Sequence, residues 1–105
     1  MHTTIDTSQL AQQLRAGDVT LIDVRETDEY AGGHVPGAVS IPMSVLPARV
    51  HEIPQDREVH LICHSGVRSA QVAAWLERQG YAPIDVAGGT AAWQAAGGPL
   101  SLGNH

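Results

Sequence analysis

Apolar residues along this chain come in short blocks, some continuous and some at helical spacing, with glycine, proline or charge between them. The continuous blocks read as buried strands. One is Val19-Thr20-Leu21-Ile22-Asp23-Val24, bounded by Gly17-Asp18 and by charge. Others are Val59 to Cys63, the shorter Ala38-Val39-Ser40-Ile41 stopped by Pro42, and Ile84-Asp85-Val86; Ile5 ends a short first strand. Helical spacing fills the gaps. Asp6-Thr7-Ser8 offers N-cap oxygens for a helix to about Ala16, with Leu10, Ala11 and Leu14 as its apolar stripe and Gly17 placed to end it. Thr27 can cap a short helical turn through Asp28-Glu29-Tyr30. A helix is predicted from about Val45 or Pro47 to Ile53, with Leu46, Val50 and Ile53 inward and Pro47 in its first turn. Another carries Ala70 to Leu76 and runs to Gly80, and a last one spans about Thr90 to Ala96. Gly32 to Gly37 is loop punctuation, and residues 100–105 read as a loose tail.

Strands that alternate with helices at this spacing predict an α/β fold: a central, mostly parallel sheet of about five strands with helices on both faces. The whole of 1–105 reads as a single domain with its core over about 5–99. In such sheets the ligand crevice lies beyond the carboxyl ends of the strands. Asp23, Cys63 and Ala87-Gly88-Gly89 all fall at such ends.

Composition narrows the function. The chain has 105 residues, 43% of them hydrophobic, which suits one folded core. Its net charge is −5, with six basic residues, all arginine and nowhere clustered, so nucleic acid and anionic membrane are not expected partners. No segment has the length and apolarity of a signal peptide or a membrane span. The only cysteine can form no internal disulfide, and a free thiol suits a reducing compartment; cytoplasm is the expected location.

That cysteine opens the most informative stretch, Cys63-His64-Ser65-Gly66-Val67-Arg68-Ser69, set between a strand and a helix. A thiol at a strand tip, one short loop before a helix N-terminus, meets converging backbone N–H groups and a positive field. Arg68 adds a positive charge, so the place favours a thiolate or an anion attached to sulfur. A buried structural cysteine would have no use for Gly66, Arg68 and Ser69, and Cys63 is read as a nucleophile. Amides from His64 through Val67 to Ser69, the last acting as helix cap, can curl into an anion-binding nest. Four residues separate Cys63 from Arg68. Cysteine phosphatases have one more, and the tighter ring suits one added sulfur atom better than a tetrahedral phosphate.

The loop resembles the active loop of the rhodanese-like sulfurtransferases. Leu21-Ile22-Asp23-Val24-Arg25-Glu26, then Glu29-Tyr30 and Gly33-His34-Val35-Pro36-Gly37-Ala38, are similar to that family's N-terminal signature, and Val86-Ala87-Gly88-Gly89 with Trp93 to its C-terminal one. The likeness runs from about Ser8 to Pro99. It implies a three-layer rhodanese-like domain and a ping-pong reaction without a cofactor. Cys63 thiolate attacks the outer sulfur of a small anionic donor such as thiosulfate, sulfite leaves, and the Cys63 persulfide hands its sulfur to cyanide, a cellular thiol or a protein acceptor. Arg68 would pair with the donor's sulfonate-like oxygens, a contact worth about 2–3 kcal/mol or roughly a hundredfold in rate.

Other residues divide between chemistry and architecture. Asp23 could orient the loop, or pair with Arg25 and accept loop amides; a carboxylate beside an anionic donor would repel it, which favours the second use. His64 could support the thiolate or point to solvent. His34 lies in a segment that is mostly architectural in the family. Gly88 and Gly89 are read as permitting close approach to the active loop rather than as a nucleotide motif. His60 and Cys63, three apart on a strand, face opposite sides, so no metal is expected. Trp75 and Trp93 suit core packing. Two rival functions stay open: a persulfide carrier or regulatory module acting with a partner protein, and a small cysteine phosphatase or arsenate reductase.

Overall fold

The computed structural model describes residues 2–104. Its sheet has five strands: β1 (Thr3–Ile5), β2 (Leu21–Asp23), β3 (Val39–Ser40), β4 (Glu58–Ile62) and β5 (Ala82–Val86). Their order is β1-β5-β4-β2-β3, and every pairing is parallel. The central strand β4 sets Leu61 against Ile22 of β2 and His60 against Ile84 of β5. A strand covered on both faces must be apolar nearly throughout, which is why Val59, Leu61 and Ile62 read as one continuous run.

Side-chain alternation sends successive residues to two separate cores. Ile22, Val24, Ile41, Val59, Leu61 and Cys63 pack with Val72, Ala73 and Leu76 of helix α3 (Val67–Arg78) and with Leu46 and Ile53 of a 3₁₀ segment (Leu46–Glu52). Ile5, Leu21, Ile62, Ile84 and Val86 pack on the other face with Leu10 of α1 (Thr7–Ala16), Tyr30 of α2 (Thr27–Ala31) and Trp93 of α4 (Gly89–Ala95). Helices thus cover both faces, as alternation of strands and helices implies. Each fully buried aliphatic side chain contributes about 1.5–3 kcal/mol. His60 is the exception in the central strand. It turns to the face opposite Cys63, its Nε2 lies 2.6 Å from the Gln13 Oε1, and burial pushes its pKa below the ordinary value.

Local chemistry explains the element ends. Asp6 closes a reciprocal capping box with Gln9 at the start of α1, at 2.8 and 2.9 Å. Thr27 does not cap α2: Glu26 occupies that place, its backbone N–H donating to the Glu29 carboxylate at 3.2 Å. The segment expected as a helix near Val45–Ile53 is 3₁₀ instead. Its Ala48 N–H returns to the Val45 carbonyl and its Ile53 N–H to the Val50 carbonyl, the tighter winding common in short connectors.

The expected loose tail is tied down. Ser101 and His34 exchange both backbone hydrogen bonds, at 2.8 and 2.9 Å, Gly103 N–H donates to the Ala31 carbonyl, and Leu100 packs on the α1/α4 core. A lone bridge of this kind has no periodicity in sequence to announce it. Met1 and His105 lie outside the described residues.

Candidate active site

Cys63 follows β4 directly, at the carboxyl end of the central strand. The backbone there is stapled to α4: Thr90 N–H donates to the Cys63 carbonyl and Ala91 N–H to the His64 carbonyl, both at 2.9 Å. Only a glycine permits that approach at position 89. A Cβ there would overlap the Cys63 and His64 carbonyls, and the backbone adopts φ +58°. Gly89 therefore permits close approach to the loop, whereas a Cβ on Gly88 would meet the Ala92 side chain of α4 instead.

The loop then turns through Gly66, at φ +105° the N-cap of α3, and brings its own N–H to 3.0 Å from Cys63 Sγ. The helix begins at Val67, so Ser69 is not its cap but lies within its first turn. Its hydroxyl sits 3.5 Å from Sγ, 3.2 Å from the Gly66 carbonyl and 2.5 Å from Asp85 Oδ1. Burial pushes the Cys63 thiol up, while its hydrogen bond with the Ser69 side chain and those from the amides of Ser69, Gly66 and Ser65 pull it down, leaving it below the ordinary cysteine value. Of the amides expected from His64 through Ser69, those of Ser65, Gly66 and Ser69 act on the sulfur, which is buried, only 1% exposed. The side chains of His64, Ser65 and Val67 radiate outward and are exposed; what this part of the loop gives the sulfur is main chain.

Arg68 is not a bare charge. Its guanidinium forks onto Glu29 of α2 at 2.7 and 2.9 Å, and both side chains are about a third exposed. The Arg68 guanidinium, chiefly, holds the Glu29 carboxyl down at about 2, and the same hydrogen bonds raise Arg68. An anionic donor reaching Arg68 must share or displace that carboxylate.

Asp23 and Arg25 form a second, buried pair. Arg25 Nε and Nη2 donate to the Asp23 carboxylate at 3.0 and 2.8 Å, the Arg25 backbone N–H adds a bond of 3.0 Å, and Nη2 also reaches the Gly33 carbonyl at 2.8 Å. Asp23 is thus occupied in bracing the segment before His34. The His34 ring is buried, stacked on Tyr30 at a centroid distance of 3.6 Å, with Nδ1 2.8 Å from the Tyr30 carbonyl oxygen. The ring is engaged with Tyr30 of α2.

Sequence reasoning missed two members of this constellation. Glu29 stood in plain view inside a quoted motif, but nothing in the spacing ties it to Arg68. Asp85 was a carboxylate in a buried strand with no partner assigned, which is itself the signal: a buried acid must be hydrogen-bonded. Among the described residues, hollows lie on both faces of the sheet. One of about 230 Å³, lined by Met43, Leu46, Pro47, Gln71, Val72 and Trp75, lies on the same sheet face as Cys63. A larger one of about 660 Å³ opens between α1 and α4, on the opposite face, and has no part in the sulfur site.

The rhodanese-like domain family model matches residues 6–96. A sulfurtransferase of Allochromatium vinosum is 43% identical over 98 residues, spanning 91% of this chain and 92% of its own. Among solved structures, a rhodanese-like domain protein from Staphylococcus aureus superposes with a TM-score of 0.87 at 33% identity, covering 95% of this chain and 97% of the other. A rhodanese-related protein from Thermoplasma volcanium gives 0.89 at 31% identity, covering 96% and 99%.

Proposed function

This chain belongs to the rhodanese-like sulfurtransferase family, and from that premise we propose that it moves a sulfane sulfur from thiosulfate or a related anionic donor to a thiol acceptor through a persulfide on Cys63. The single observation that supports this most directly is the set of donors around Sγ, with the Gly66 amide at 3.0 Å. A sulfur atom in that cradle is stabilised as an anion by fixed dipoles that need no rearrangement during reaction.

The steps balance without a cofactor. Cys63 thiolate attacks the outer sulfur of thiosulfate; the new S–S bond forms as the donor's S–S bond breaks, and sulfite leaves with the electron pair. In the second half an acceptor thiol attacks the outer sulfur of the persulfide, Cys63 leaves, and the acceptor's proton is released or returns to Cys63. Arg68 receives the sulfonate oxygens of the donor, exchanging part of its contact with Glu29 for them. A planar fork is suited to such shared recognition.

The Arg68–Glu29 pair also favours a second reading. With its cation already matched by a carboxylate, the loop attracts a free dianion less than an open arginine would, which suits a persulfide carrier loaded by a partner protein. Intact mass after thiosulfate treatment separates these readings. A gain of one sulfur, absent in Cys63→Ala, with thiosulfate:cyanide turnover and no partner, supports the enzyme. A gain of one sulfur without turnover supports the carrier, and hydrolysis of an aryl phosphate abolished by Cys63→Ser would overturn both.

A further inference from the structure

Asp85 is a buried carboxylate that the sulfur-transfer steps leave unused. It sits in β5 between Ile84 and Val86, whose side chains enter the α1/α4 core, so its own side chain turns to the α3 side and is 5% exposed. There it accepts from the Ser69 hydroxyl, which also lies beside the sulfur. A hydroxyl has one proton and two lone pairs. Three acceptors compete for that proton: Asp85 Oδ1 at 2.5 Å, the Gly66 carbonyl at 3.2 Å and Sγ at 3.5 Å. The Asp85 oxygen is the nearest of the three, and hydrogen bonds to a carboxylate are the stronger ones.

We propose that Asp85 is a positioning residue of this site: its carboxylate captures the Ser69 proton, so that Ser69 accepts from the Cys63 thiol instead of donating to its thiolate. The pull of the amides on the sulfur is permanent; that of the hydroxyl is conditional on Asp85. The resting thiol is thereby held less ionised than its cradle alone would leave it, and the acid side of the pH–rate profile is set by Ser69 and Asp85 together.

The charged groups around this unit are few. Arg68 on α3 is matched by Glu29 of α2, and Asp23 at the end of β2 by Arg25. β1 and β4 set Thr4 and Leu61 opposite Asp85, His60 faces the other side of the sheet, and the next charged residue along α3, Glu77, lies two turns beyond Ser69.

The test is a pH titration of ultraviolet thiolate absorbance on the full chain, whose single cysteine makes the signal unambiguous. It concerns the site of the proposed sulfur transfer, but it reads ionisation directly and stands whether or not thiosulfate proves to be a donor. Asp85→Asn should move the midpoint down by about one pH unit, and the acid limb of sulfur loading with it. In a Ser69→Ala background the same change should move it by less than half as much. Ser69→Ala alone should leave the midpoint unchanged or slightly lower, which keeps the proposal testable if Asp85→Asn fails to fold. A midpoint unmoved or raised by Asp85→Asn, an equal shift with and without Ser69, or a rise of about a unit in Ser69→Ala would each overturn it.

Discussion

Glu29→Gln probes how this loop receives an anion. The substitution keeps the shape of the side chain and an acceptor for the Glu26 N–H, but removes the charge that Arg68 grips at 2.7 and 2.9 Å. The depression of the Glu29 carboxyl from 4.5 to about 2 would correspond to about 3 kcal/mol if read directly as linkage. Both side chains are 34% exposed, however, and water and salt screen such a pair to about 1 kcal/mol or less. The stability loss at neutral pH should therefore be about 1 kcal/mol or smaller. Its pH dependence has a definite sign: the native pKa is depressed, so the pair's contribution is complete above about pH 4.5 and fades as pH falls toward 2. The thermal difference between the two proteins should shrink over that window. In the thiosulfate:cyanide assay, removing a competitor worth about 1 kcal/mol should lower the KM for thiosulfate about fivefold, with kcat little changed. A KM that rises would refute the reasoning, because it would mean that Arg68 needs Glu29 to aim it more than the donor needs Arg68 free.

Three further substitutions test other links. Cys63→Ala should abolish the mass gain of one sulfur while thermal stability changes by no more than about 1–2 kcal/mol, measured by denaturant unfolding; residual sulfur loading would remove Cys63 from its role. Gly89→Ala places a Cβ against the Cys63 and His64 carbonyls at a left-handed backbone position, and should cost about 2–3 kcal/mol and slow sulfur loading; a neutral result would show that the α4 staple is not needed. His60→Gln should flatten the acid side of the stability curve. The buried ring resists a proton that the unfolded chain accepts below about pH 6.5, so the native protein loses up to about 1.4 kcal/mol per pH unit below that point, and the variant should not.

The sheet was legible in sequence because a fully covered parallel strand leaves a continuous apolar run, and Leu21–Ile22 and Leu61–Ile62 are such runs. So was the close approach of Gly89 to the loop, although the glycine beside it, Gly88, answers to Ala92 of α4 instead. The parts that stayed hidden are those made by pairing between distant segments. Ser101 meets His34 through two backbone bonds that leave no trace in side-chain type. Arg68 finds Glu29 thirty-nine residues away because α2 and the start of α3 meet at the same end of the sheet. Ser69 read as a cap because serine before a helical run usually is one; Gly66 took that place because only glycine turns at φ +105° with its N–H toward sulfur.

Strand order explains why the dipoles nearest the sulfur, more than any cation, carry its charge, Arg68 acting on it only at longer range. β4 lies between β5 and β2, so Cys63 emerges with Asp85 from one neighbour and the Asp23–Arg25 pair from the other. Of the cations on these segments, Arg25 is committed to Asp23 and Arg68 to Glu29. What remains aimed at Sγ are the amides of Ser65, Gly66 and Ser69 and one hydroxyl whose proton Asp85 contests. A free guanidinium against the sulfur would hold an anion more tightly but would also oppose its departure, whereas the persulfide proposed for Cys63 would have to be both formed and surrendered. Fixed amides would serve both halves of that proposed cycle alike, while the Ser69 hydroxyl is held to Asp85.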